Sequence, residues 1–506
     1  MLTNIPLDFL WKGALSVAVI LGIAGIHAIV GLLVAPRPLR SIPKVPTLPF
    51  LNSLFRSESI ESISKKYMIP ALEKRGMASL WIIGKWSVFL SDPAYIKIFM
   101  SRTDIIPKVK TSTQGKYVTD FFGAENIAVS NGEEWKRHRK VLNPAFRHTI
   151  PTQIFGECVH ELFEYIDSAN SRADAVDIPA LMRRLTLDAL GRVLFRFNFN
   201  ALKNPDNDYC KFYHRTVDGL SNPFRALFPK AEPIISLFDR DAIQSLAGFN
   251  KLILGIIESR RKEIQNGLYK EEKDQHKDML TLMIEAISTD SESGWTTEDI
   301  KNNLMVFFLA GHDTTQGSLS VAIYYLAIFP EIQELARQEV DRILGGSNPM
   351  KIPSIEDCRN MKYIDCIIKE TLRIHPPAAS AGPRVVEEPI DIDGVTMPKG
   401  TQLFADIYAL HHSTKYWKDP QKFWPERFYP ENNPPREAWM PFGGGSRICI
   451  GMQFSLTEQR VVLSMLLRNY SWRLSANSPH ANGLQINGML GILRLKDLLI
   501  QFEKRA

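Results

Sequence analysis

Phe442-Gly443-Gly444-Gly445-Ser446-Arg447-Ile448-Cys449-Ile450-Gly451 stands near the carboxy terminus of a 506-residue chain. Three consecutive glycines free the backbone to make a tight loop and to approach a flat ligand closely. A lone cysteine ends the loop, just before the helical run Met452–Arg468. Loop amides and a helix amino terminus favour the thiolate form of such a cysteine, and a thiolate is a metal ligand. The competing reading is a glycine turn before a helix, with an incidental buried cysteine.

The other cysteines are Cys158, Cys210, Cys358 and Cys366, with no CxxC pair among them. An odd count in a long chain argues against a disulfide framework or a structural zinc site, and suits a reducing compartment. These four are expected to be buried small hydrophobes. The formal charge is +6, with 45% hydrophobic and 23% charged residues. Without a basic run this gives no case for nucleic acid, though it fits a neighbouring anionic membrane or an acidic partner.

Upstream, Thr297–Ile328 runs without proline until Pro330. Ile300, Leu304, Phe308 and Gly311 repeat at helical spacing and predict one apolar face. In its middle lies Ala310-Gly311-His312-Asp313-Thr314-Thr315, where glycine, aspartate and threonine are poor helix-interior choices. Such a cluster either bends the helix by bonding hydroxyls back to carbonyls or serves chemistry. Further helices are predicted at Glu133–Phe146, Asp278–Ile287, Pro330–Leu344 and Asp357–Arg373. Strand patterns are short and late, as in Gly394–Asp406. This predicts a mainly α fold with a small β component. With no glycine-rich dinucleotide fingerprint, reducing equivalents must come from another protein.

Two more clusters complete the pattern. Glu370-Thr371-Leu372-Arg373 puts acid and base three apart on one helix face, and Pro425-Glu426-Arg427-Phe428 follows. Trp135-Lys136-Arg137-His138-Arg139 opens another helix; alone it would read as a basic solvated face.

Together these motifs resemble the cytochrome P-450 family. The cysteine loop is similar to its FxxGxRxCxG haem loop, the long-helix cluster to its AGxDTT motif, and the others to its ExxR, PERF and WxxxR motifs, in the expected order. The resemblance is to the microsomal, membrane-anchored type, and a fungal member is expected. It implies a cytochrome P-450 fold with haem b (iron protoporphyrin IX) between the long helix and the cysteine loop. Cys449 would be the axial ligand to iron, with Phe442 beside the haem. Thr314 would hydrogen-bond dioxygen and Asp313 would supply protons from solvent. Glu370, Arg373 and Arg427 would form a buried structural triad. Trp135, Arg139, Arg384 and Arg447 would reach the propionates. Phe121, Phe122, Phe307, Ala310, Thr315, Ala379 and Leu490 would line the substrate pocket, with Ala378–Ala381 and the turn 487–491 around them.

The implied activity is hydroxylation of a lipophilic steroid, terpenoid or fatty acid. Electrons would come from NADPH through NADPH-cytochrome P-450 reductase, with cytochrome b5 as an optional second donor. A haem-thiolate isomerase or dehydratase needing no reductase, and a membrane haem carrier or sensor, are the alternatives. The intact Asp313–Thr314 pair argues against both. Ala310 stands where some fatty-acid hydroxylases carry a haem-bonded glutamate, so no covalent haem link is expected. An HxTS variant typical of sterol demethylases is absent.

From Ala14 to Val34 the chain is almost entirely apolar, long enough to cross a bilayer core. Arg37, Arg40 and Lys44 follow it, which places the large carboxy-terminal part in the cytoplasm. The expected organisation is a luminal segment 1–13, a transmembrane anchor 14–34, a proline-rich hinge 35–50 and one haem domain 51–506, single-pass in the endoplasmic reticulum. The sequon at Asn469 would then stay unglycosylated.

Overall fold

The computed structural model describes residues 31–505 apart from positions 57, 83, 148–150, 223, 226–227, 269–276, 290–294, 346–347 and 490–491. Most of the expected anchor, residues 14–30, lies outside the described residues, as does Leu490. Among the described residues no single helix is long and apolar enough to cross a membrane.

Thr297–Ile328 forms as one helix, opened by a capping box in which Thr296 and Asp299 satisfy each other's backbone N–H groups. It is buried nearly all round rather than on one face. A helix of that kind is the centre of a domain, not an amphipathic stripe on its surface. Helices Ile178–Phe195 and Arg240–Gln265 pack against it, and so do Lys362–Ile374 and Met452–Asn469. Thr315 Oγ1 and Ser455 Oγ lie 2.9 Å apart, and Ser318 donates to Gln459 Oε1 at 2.7 Å. These bonds pin the helix that follows the cysteine loop to the long helix.

The helix expected over Asp357–Arg373 is two, Ile355–Asn360 and Lys362–Ile374. Met361 between them adopts an extended ψ of 80° and is fully buried. The Glu339 carboxylate caps the second helix by accepting from the Tyr363 and Ile364 amides. Gly394–Asp406 likewise divides. Val395–Met397 pairs with Ile390–Ile392, whereas Gln402–Asp406 enters the main sheet.

In that sheet Met77–Ile82 and Lys85–Leu90 pair antiparallel, Met77 opposite Leu90. Gln402–Asp406 adds parallel to the second strand, with Ser87 opposite Gln402, and Ser380–Val385 closes the far edge. The proline segment 35–50 is not a free spacer. The Ser79 amide donates to the Pro43 carbonyl and the Val45 amide to the Ser79 carbonyl, while Leu39, Ile42 and Val45 are buried. Prolines lack a donor but keep their carbonyls, so this segment can cover an open sheet edge. Asn469 is buried, and its amide donates to the carbonyls of Pro349 and Met465. A glycan has no room there in the folded chain.

Candidate haem-thiolate site

The cysteine loop is a hydrogen-bonded turn. The Gly443 amide donates to the Met440 carbonyl, and the Cys449 amide reaches back to the Phe442 carbonyl at 3.0 Å. Gly443 (φ +69°) and Gly445 (φ +66°) occupy the left-handed region that excludes most side chains. Gly444 is simply extended. The other four cysteines are buried, as expected; Cys449 is exposed. Yet protein surrounds Cys449 closely enough for burial to push its thiol up, although the Gly451 amide and Arg139 pull it down. Local exposure combined with deep enclosure marks the wall of an internal slot. Loop amides alone do not hold this sulfur as thiolate; coordination to a metal ion would. Among the described residues, no cluster of three or more His, Cys, Asp and Glu could hold a metal.

The long helix, tied to the helix after the cysteine loop through Thr315 and Ser455, carries a window. Residues 302–309 and 315–327 are buried without interruption, but Ala310 is exposed and Gly311 and Thr314 are half-buried. Thr314 Oγ1 donates to the Ala310 carbonyl at 2.8 Å, the helix-bending arrangement. Thr186 reaches in from the neighbouring helix to donate to the His312 carbonyl at 3.3 Å. A Cβ on Gly311 would meet Leu190 at 2.7 Å, so that glycine admits the neighbouring helix. Asp313 turns away from the window: its Oδ2 accepts from the Tyr213 hydroxyl at 3.2 Å and faces Arg494 at 3.4 Å.

Around the cysteine loop gathers a cluster of cations. Arg447 donates to the Ser130 carbonyl at 2.8 Å and stacks 4.1 Å over Trp135; Arg139 lies 5.8 Å from the same ring. Arg384 lies 4.7 Å over Phe99 and donates to the Ile106 carbonyl. Lys108, absent from the sequence expectation, pairs with Arg384 across a β-bridge and donates to the Ala128 carbonyl. Burial and mutual repulsion lower Lys108 to about 7 and Arg447 to about 10, and burial alone lowers Arg384 to about 10. None of these three has a carboxylate partner among the described residues; each donates to a backbone carbonyl. Buried cations without counter-ions are expensive, and a ligand carrying carboxylates would neutralise them. A flat ligand with two propionates and a metal at its centre fits this cradle beside Cys449.

Behind the loop, Glu370, Arg373 and Arg427 form one buried network. Arg373 donates to both Glu370 oxygens at 2.7 and 2.9 Å, and Arg427 Nε donates to Glu370 Oε1 at 3.0 Å. Spare guanidinium hydrogens go to the carbonyls of His411, Pro420 and Lys418. His411, also unforeseen, joins triad to loop. Its Nδ1 lies 3.1 Å from the Arg373 carbonyl, and its Nε2 accepts from the Met440 amide at 3.0 Å. Burial and nearby Arg373 drive this imidazole down to about 3, so it stays neutral.

Of the pocket residues, Phe121 is fully buried with Phe122 edge-on at 4.8 Å. Their segment lies on the long helix because Gly123 has no Cβ to strike Asn302. Phe307 is buried against Phe146, and Ala379 is buried with its carbonyl bonded to the Tyr408 amide. Thr315 is buried and turned to Ser455. Phe442 is half-buried beside Trp439.

The chain also matches known proteins along most of its length. The cytochrome P-450 family profile matches residues 43–496. Cytochrome P-450 3A16 of Mus musculus is 28% identical over 467 residues, covering 86% of each chain. Cytochrome P-450 4A14 of Rattus norvegicus is 28% identical over 446 residues, covering 85% of each. Cytochrome P-450 3A7 of Homo sapiens is 29% identical over 393 residues, covering 75% of each. A match across nearly the whole chain, on a mainly helical fold with small sheets, places the protein in the cytochrome P-450 family of haem monooxygenases, as an oxidoreductase.

Proposed function

We propose that this chain hydroxylates a lipophilic substrate of the steroid, terpenoid or fatty-acid class at the cytoplasmic face of the endoplasmic reticulum. Electrons come from NADPH through NADPH-cytochrome P-450 reductase, with cytochrome b5 as an optional second donor. The observation that carries the reading is the window at Ala310 and Thr314 in an otherwise buried helix, whose apolar core also contains Phe121, Phe307 and Ala379. A slot with such a lining selects ligands with little charge.

Haem, when bound, supplies the oxygen chemistry. Cys449 would hold the metal, while Arg384, Arg447, Trp135 and Arg139 would orient the cofactor through its propionates. Thr314 presents its hydroxyl at the window and Asp313 stands one residue behind as the acid. Membrane attachment through residues 14–34 is supported by an apolar surface on the described part. Leu48, Phe55, Phe224, Ile234, Leu237 and Phe238 are exposed, and the Phe55 and Phe224 rings lie 5.7 Å apart. Exposed apolar patches of this kind belong at a membrane or partner surface.

The test is ligand-dependent NADPH consumption in reconstituted membranes with reductase, alongside the reduced carbon-monoxide spectrum of wild type and Cys449→Ala. A strongly red-shifted Soret band, lost in the variant, with consumption rising on a lipophilic ligand, is expected. Turnover without reductase would instead mean an isomerase or dehydratase, and no turnover with any ligand a haem carrier or sensor.

A further inference from the structure

Asp313 does not stand alone behind the window. His312, its neighbour on the long helix, is fully buried, and its Nε2 lies 3.4 Å from Asp313 Oδ1. His312 Nδ1 contacts the Phe308 carbonyl. A carbonyl only accepts, so Nδ1 carries a hydrogen, and in the neutral imidazole Nε2 is then a bare acceptor. It points at a carboxylate oxygen, also an acceptor, and finds no hydrogen-bond donor among the described residues. Two lone pairs facing each other in a buried site repel unless a proton lies between them.

We infer that His312 Nε2 and Asp313 Oδ1 hold one shared proton, which makes His312 a positioning residue and proton store for the acid beside Thr314. This rests on the monooxygenase reading above. The surroundings suit a store that fills and empties. Tyr213 and His214 face the pair from helix Asp208–Leu220, Arg183 from helix Ile178–Phe195, and Arg494 from strand Ile492–Leu495. When the proton leaves, the pair gains one negative charge. The Tyr213 hydroxyl at 3.2 Å and the Arg494 guanidinium at 3.4 Å are placed to offset it. Burial lowers His312, whereas Asp313 and the Phe308 carbonyl pull it back up, and Arg183 and Arg494 lower it further, so opposing groups act on the same proton.

Refilling requires water. A cavity of about 250 Å³ lies on this side of the long helix, lined by Arg183, Arg184, Asp206, Cys210 and His214. His214 is close enough to His312 and Asp313 to feel their charges. The proton taken up comes from solvent water, the hydroxide is neutralised by bulk buffer, and no electron moves.

The experiment compares wild-type holoenzyme with His312→Gln and His312→Phe, in membranes with reductase, across a pH series. Product formed per NADPH consumed should fall by about tenfold in both variants. The pH inflection of that ratio in wild type should disappear, while the carbon-monoxide spectrum stays unchanged. Glutamine can bond Asp313 but cannot titrate; restoration of both coupling and inflection by His312→Gln would reduce His312 to a structural role and overturn the inference. Should the His312 variants fail to take up haem, proton-binding titration of wild-type and Asp313→Asn holoenzyme decides. A binding step lost with Asp313 supports the store, and identical titrations overturn it. If wild type itself consumes no NADPH with any ligand, the monooxygenase reading has failed instead.

Discussion

Two groups of cations flank the slot and treat their charge in opposite ways. Arg373 and Arg427 share the Glu370 carboxylate, and their remaining hydrogens are spent on backbone carbonyls. Arg384, Arg447 and Lys108 also bond carbonyls but face no carboxylate among the described residues. The first group brings its own counter-charge and is complete within the fold. The second is completed only by an anionic ligand. Charge balance therefore separates scaffold from cofactor site where burial alone does not.

The largest effect should come from emptying the complete group. Glu370→Ala strands two guanidinium groups in a buried site, at a cost of about 3–5 kcal/mol. That is a large part of a typical stability of about 5–15 kcal/mol. Denaturant unfolding should show the loss, and the carbon-monoxide band should vanish with it. If Glu370→Ala holds haem normally, the distinction between scaffold and site collapses. The incomplete group should behave differently. Arg447→Ala removes a repelled cation, so the haem-free fold should keep its unfolding midpoint, while haem dissociation speeds up by about tenfold to a hundredfold. Transfer of haem to an acceptor protein measures the rate.

A third effect is on pH dependence. Lys108 is lowered from 10.5 to about 7. Between those values the unfolded chain binds the proton that the folded chain lacks, so stability rises with pH across this window. Below it the folded chain carries the full penalty of a buried ammonium. Haem-free protein should therefore gain stability from about pH 7 upward, Lys108→Met should flatten that slope, and bound haem should flatten it in wild type as well. Equal slopes in all three would mean that Lys108 does not feel the propionates.

The sequence was most legible where chemistry demands a residue type at fixed spacing. Glu370 with Arg373, the glycine loop before Cys449, and the proline-free run over Thr297–Ile328 were readable at once. Lys108, His411 and Tyr213 were not. Each acts on a group far away in sequence, so only tertiary packing brings it to the site. The break at Met361 was hidden for a related reason: Glu339, which caps the second helix, lies in another element. Periodicity also misjudged the long helix. One apolar face through Ile300, Leu304 and Phe308 was expected, and the helix is instead buried nearly all round because other helices pack against it.

The cation cradle has a consequence for when the protein becomes useful to the cell. Its members are Lys108, Arg139, Arg384 and Arg447, with Cys449 beside them. Chains are made from the amino end, and early parts begin to fold as they emerge. The sheet strand Gln402–Asp406 and the loop carrying Cys449 are among the last pieces delivered. Until then the early-made lysine and arginine have nothing to meet. With Cys449 as the metal ligand, haem capture would be a finishing step of biosynthesis, and a chain that stalls before residue 449 would lack the residue to hold it.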